Sequence, residues 1–110
     1  MAVPKCMLKG KELDDVREDF RTARRVEQYR LGEKALYFPE GLRWNYLPLT
    51  EIQKVEESFR VISAGHCVPV REKRPEIDIC TEEGTVHMQL EKQESMKEIL
   101  NAIGAVTTHG

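Results

Sequence analysis

Cysteine is scarce in this chain: Cys6, Cys67 and Cys80 are an odd number, set far apart. A small secreted fold stapled by disulfides carries a denser, even set, so that class is set aside and a reducing, cytoplasmic setting is expected. Neither sign of charge is in excess, since 17 Lys and Arg stand against 19 Asp and Glu for a net charge of −2. No global positive field exists to hold DNA or a bulk anionic membrane, and any anion site must be local. No stretch of about 18 apolar residues occurs. The start, Met1 to Lys9, lacks the continuous apolar segment of a signal peptide, so neither export nor a transmembrane segment is expected. Internal repeats, low-complexity tracts and linkers are missing as well.

What remains is 110 residues, 40% hydrophobic and 33% charged, a balance that builds one core beneath a heavily solvated surface. A single domain over 1–110 is expected. Over 11–23, Leu13, Val16, Phe20 and Ala23 recur at steps of three and four, which predicts an N-terminal helix. Asp14, Asp15, Glu18 and Asp19 precede Arg21, Arg24 and Arg25, the order that complements a helix dipole and solvates a helix face.

Beyond Arg25 the period changes and Gly and Pro punctuate short apolar runs, which predicts strands and tight turns. Val26 to Leu31 reads as a first strand. Gly32-Glu33 turns into Lys34 to Phe38, and Pro39-Glu40-Gly41 turns into Leu42 to Leu47, where Leu42, Trp44 and Tyr46 alternate with Arg43 and Asn45 as a buried aromatic face. Ala35, Leu36, Tyr37 and Phe38 leave no polar face, so that strand needs cover on both sides, from the first helix or from another chain. Pro48 marks a bend or an edge, because it cannot donate to a ladder. A strand is predicted from about Val55 to Ala64, ended by Gly65, and His66 to Val70 reads as a further short strand. Val70 to Pro75 reads as an exposed, charged loop. Glu76 to Thr81 and Thr85 to Leu90 alternate about a turn at Glu82-Glu83-Gly84, a clear hairpin. Ser95 and Glu98 fit a capping box opening a final helix with Met96, Ile99, Leu100 and Ile103 on its apolar stripe; Gly104 closes it, and 104–110 is a flexible tail.

The run Leu36-Tyr37-Phe38, the following turn, the segment Tyr46 to Ile52, and the closing strand plus helix together resemble the pleckstrin-homology-like barrel, in its small bacterial and GRAM-type forms, over 26–103. That resemblance implies an α+β, mostly β fold: a partly open barrel of six or seven antiparallel strands in two near-orthogonal sheets, with an N-terminal helix and a capping C-terminal helix. The chain departs from the eukaryotic members in lacking the aromatic their last helix presents and the basic cluster of their first hairpin turn. Inositol-lipid binding is therefore not carried over, and a lipid head group as ligand has no support from these residues. The resemblance implies a scaffold whose surface or edge binds something.

Four side chains, His66, Cys67, Cys80 and His87, carry zinc-ligand chemistry, but none of their spacings matches a zinc motif, so inert packing is expected and no metal or cofactor is assigned. No triad or phosphate loop is present and no catalytic residue is named. Arg71, Lys73 and Arg74 could bind an anion or acidic partner through forked hydrogen bonds, and Leu36 and Phe38 mark the strand through which a second chain could pair. The sequence therefore points to a noncatalytic binding or protein-interaction module, pairing with a protein partner or with itself, rather than to an enzyme. The alternative is a small cysteine-dependent or redox-sensitive protein using Cys80 and His87.

Overall fold

A computed structural model describes residues 3–64 and 70–107, with the side chains of 62–64, 70–72 and 105–107 outside that description. The chain runs β1 (Lys5–Cys6), α1 (Val16–Thr22), β2 (Arg24–Val26), β3 (Tyr29–Leu31), β4 (Ala35–Glu40), β5 (Arg43–Pro48), a 3-10 turn (Leu49–Glu51), β6 (Lys54–Ala64), β7 (Val70–Thr81), β8 (Gly84–Gln89) and α2 (Gln93–Thr107). Two sheets result, with orders β1-β5-β4-β3-β2 and β6-β7-β8. The protein is mostly β with two helices, as expected of an α+β chain, and its two sheets do not close into a barrel.

β4 is buried on both faces, as its composition requires. Leu36 and Phe38 face the main core, with Leu47, Ile77, Ile79, Met88, Met96, Ile99 and Ile103 from the neighbouring strands and α2. Ala35 and Tyr37 face the opposite way into a second cluster with Val16, Phe20 and Tyr46. The cover on that outer side is thus α1 and not another chain. Phe20 meets the Tyr37 ring edge-on, with centroids 4.9 Å apart.

One carboxylate locks α1 in place. Buried Asp19 accepts the Tyr37 hydroxyl at 2.7 Å and the amides of Glu33 and Lys34 at 3.0 and 3.1 Å. These bonds offset the cost of burying a charge. Gly32 leaves room for it, since a Cβ there would lie 2.1 Å from Asp19 Oδ2.

Several elements differ from the sequence reading, each for a tertiary reason. The first helix is shorter than 11–23: it spans Val16–Thr22, and ahead of it the Leu13 amide donates to the Tyr46 hydroxyl at 2.9 Å, tying the approach to the helix onto β5. Val26 to Leu31 is not one strand: β2 and β3 form a hairpin about Glu27-Gln28, with Glu27 at φ 56°. The Glu27 carboxylate accepts the amides of Glu91 and Lys92 at 2.7 and 3.1 Å, just ahead of α2. Pro39 and Glu40 remain in β4, the turn falls at Gly41 (φ 61°), and Leu42 is fully exposed at its tip, outside the aromatic face. Helix α2 starts at Gln93, before Ser95, and passes through Gly104 to Thr107. The largest difference concerns Val70 to Pro75, which belong to the 12-residue strand β7 and not to a loop. The expected strand at His66 to Val70 falls mostly outside the described residues.

Candidate interaction surface

β6 and β7 pair from Lys54↔Cys80 to Ala64↔Val70, whereas β8 accompanies β7 only from Glu76↔Gln89 to Thr81↔Gly84. From Phe59↔Pro75 outward the hairpin is therefore a two-stranded arm, and the molecule measures 53 × 35 × 23 Å. Because facing residues alternate sides along a ladder, Val55, Phe59, Val61, Ile77 and Ile79 share one face. Ile77 and Ile79 lie in the core, and Val55 packs against it. Phe59 and Val61 carry the same apolar face past the core's end, where they are 53% and 60% exposed.

Pro75 explains why the third strand stops. The Leu90 amide donates to the Pro75 carbonyl at 3.0 Å, the position of a hydrogen-bonded pair in an antiparallel ladder. The return bond needs an N–H that Pro75 does not have. Arg60 replaces it: its Nη2 donates to the Leu90 carbonyl at 3.2 Å, while its Nε pairs with Glu76 Oε1 at 3.0 Å. The same geometry fixes what β6 shows to solvent. A strand residue points its N–H and C=O to the same side, so Pro75 directs its backbone toward β8 and makes no bond to β6. Its partner Phe59 then directs its own N–H and C=O away from β7, and so, by alternation, do Val55, Glu57 and Val61. Among the described residues no strand lies beside that edge of β6.

The residues singled out in the sequence fall on several sides of this arm. Lys73 sits opposite Val61 and is exposed on the Phe59 face. Arg74 lies on the other face, opposite Arg60, and pairs with Glu91 at 2.8 Å. Alternation along β7 thus separates two residues that a loop would have let converge. Arg71 stands opposite Ser63, its side chain outside the described residues. The structure places Leu36 and Phe38 in the core at 0% and 8% exposure, so a partner meets them only if the fold opens. Phe59 and Val61 take over the apolar surface role; their alternation with Arg60 was legible, but only the short β8 shows that the face emerges from the core.

The cysteine alternative maps to the polar face of the second sheet. Asp78 sits opposite His87, with Oδ1 to Nδ1 at 2.5 Å, and Cys80 opposite Thr85, with Sγ to Oγ1 at 3.9 Å. Cys80 and His87 are thus diagonal neighbours whose closest described polar contacts go elsewhere. His66 and Cys67 lie outside the described residues, and among the described residues no group of three or more His, Cys, Asp or Glu is placed to hold a metal. A separate open groove of about 700 Å3 runs between β1 and the β4–β5 turn, lined by residues that include Met7, Glu40, Arg43 and Trp44. Its charges are of both signs and lie at the surface, without the convergent buried polar groups that orient a small ligand.

No family of proteins, no curated protein and no solved structure matches this chain. No helix among the described residues is long and apolar enough to cross a membrane.

Proposed function

We propose that the protein is a noncatalytic interaction module that receives an extended strand of another polypeptide along the free edge of β6. The observation that carries this reading is the coincidence, at Phe59 and Val61, of outward backbone hydrogen-bonding groups with exposed apolar side chains. Main-chain pairing along an edge supplies affinity, and alternate side chains supply selectivity. Natural edge strands are commonly blunted by proline, by a bulge or by inward-pointing charge; between Val55 and Val61 β6 carries no proline, its pairing with β7 is unbroken, and Glu57 is the one charge on its apolar face.

A pleckstrin-homology-like scaffold is part of the proposal. The meander β2 to β5, the meander β6 to β8, and α2 packed between them supply the two sheets and the closing helix that this family's architecture requires. The arm would then be an elongation of the second sheet's first hairpin.

The test is selection of extended peptides from a displayed library against the parent protein, with counter-measurement on Phe59→Ser/Val61→Ser. Peptides that bind the parent and lose at least about tenfold in affinity on the variant are the expected result, since two apolar contacts of this kind outweigh 1.4 kcal/mol. Selected peptides that bind parent and variant alike would place the binding surface elsewhere.

A further inference from the structure

We infer that the strand received by β6 is β6 of a second copy, in an antiparallel pair centred on Ser58, giving one continuous six-stranded sheet. The inference rests on the edge-pairing reading above and specifies its partner.

A two-fold axis normal to the sheet pairs residues whose numbers have a constant even sum, so the register is set by which residue lies on the axis. Charge decides among the four central choices. An axis at Glu57 places Glu57 opposite itself and Lys54 opposite Arg60; an axis at Arg60 places Arg60 opposite itself. Like charges directly opposite are destabilising. An axis at Phe59 sets Glu57 opposite Val61 and Arg60 opposite Ser58, without opposite-charge pairs. The axis at Ser58 places Glu56 opposite Arg60 and Val55 opposite Val61, each twice by symmetry.

In that register Phe59 lies opposite Glu57 of the second copy and diagonal to its Phe59 and Val55, within reach of an aromatic side chain. The apolar face that leaves the core on one copy thereby runs into that of the other. The residues that would exchange hydrogen bonds, Val55, Glu57, Phe59 and Val61, are those whose N–H and C=O point outward. Arg60 keeps Glu76 and the Leu90 carbonyl as partners, and its guanidinium has five N–H donors, enough to accept a second carboxylate alongside. Glu56 gives up only its exposed contact with Lys54, at 3.1 Å.

Two substitutions separate the dimer from the fold. Glu57→Pro removes an outward amide that the β6–β7 ladder does not use and leaves Phe59 and Val61 in place. Glu56→Arg sets like charges opposite Arg60 twice in the Ser58 register, while its site in the monomer is solvent. The experiment is solution mass by light scattering or sedimentation across a dilution series, for the parent and both variants, with circular dichroism as the check on folding. The expected result is a parent species of twice the 12.7 kDa chain mass that dissociates on dilution, with each folded variant at least about tenfold weaker. A parent that is monomeric throughout overturns the second-copy inference while leaving the peptide selection to decide the edge reading on its own. A dimer unaffected by Glu57→Pro shows association by another surface and overturns the inference. Loss with Glu57→Pro but not with Glu56→Arg overturns the Ser58 register.

Discussion

Asp19 is a carboxylate inside an apolar layer, and three donors hold it there: Tyr37, Glu33 and Lys34. Gly32→Ala should push that carboxylate out of its site, because the new Cβ would overlap Oδ2. A loss of roughly 1–3 kcal/mol in a urea titration is expected, the scale of hydrogen bonds to a charged group. Stability within about 0.5 kcal/mol of the parent, the range of neutral surface changes, would show that Asp19 has another home. The tyrosines give a pH prediction at the same scale. Burial raises the Tyr29, Tyr37 and Tyr46 phenols above their ordinary value, and at Tyr37 the neighbouring Asp19 carboxylate adds to the effect. The folded state thus favours the neutral phenol, while the unfolded chain ionises near pH 10. Stability from these groups is whole below about pH 10 and falls as pH rises above it, since unfolding then releases protons. Tyrosinate absorbance and loss of circular dichroism should rise together in an alkaline titration, with a shallower dependence in Tyr37→Phe. Ordinary titration of all three phenols in a chain that stays folded would contradict this.

At the scale of the element, β7 shows how a sequence signal can be misread for a sound local reason. Pro75 among Arg71, Glu72, Lys73 and Arg74 carries the composition of a loop, and proline is excluded from most central strands. It stands in a central strand here because the one ladder bond it cannot donate, to the Leu90 carbonyl just past the end of β8, is supplied by Arg60 instead. Arg60→Ala should cost about 1–3 kcal/mol by leaving the Leu90 carbonyl and Glu76 without that partner. Pro75→Ala should cost less in the Arg60→Ala background than in the parent, because it restores the missing amide. A double-mutant cycle reads this directly, and strict additivity of the two changes would dispose of the exchange. The β7–β8 hairpin and the double-sided burial of β4 were legible because each follows from alternation within one short segment. The β2–β3 hairpin was not. Nothing near Glu27 in sequence announces a positive φ; the amides of Glu91 and Lys92, more than sixty residues away, are what its side chain holds.

Over the whole molecule, two apolar clusters flank one sheet, α1 closes the outer cluster, and α2 with the second sheet closes the inner one. Beyond Arg60↔Arg74, the described side chains of the arm, Val61 and Lys73, lie outside both. Replacing 61–73 with Asn-Gly should close a short hairpin on that pair and leave the thermal midpoint within a few degrees of the parent, since neither of the described side chains removed, Val61 and Lys73, belongs to either cluster. Association through β6 should weaken, since the Val55–Val61 pairs are lost while Glu56, Glu57, Phe59 and Arg60 remain, and a truncated chain that associates as tightly as the parent would point to a different surface. A collapse of the midpoint would instead make the arm part of the fold.

The sequence by itself determined the mostly β character, the two helices, the strand that needs cover on both faces and the split between apolar and polar alternation, because each depends on residues within a turn or two of one another. Tertiary structure decided that α1 supplies the cover, that Lys73 and Arg74 face opposite ways, and that Phe59 and Val61 stand in solvent. The physical reason is one of length. Alternation tells which side of a strand is apolar, but only the neighbouring strand's end tells where along that side the core stops.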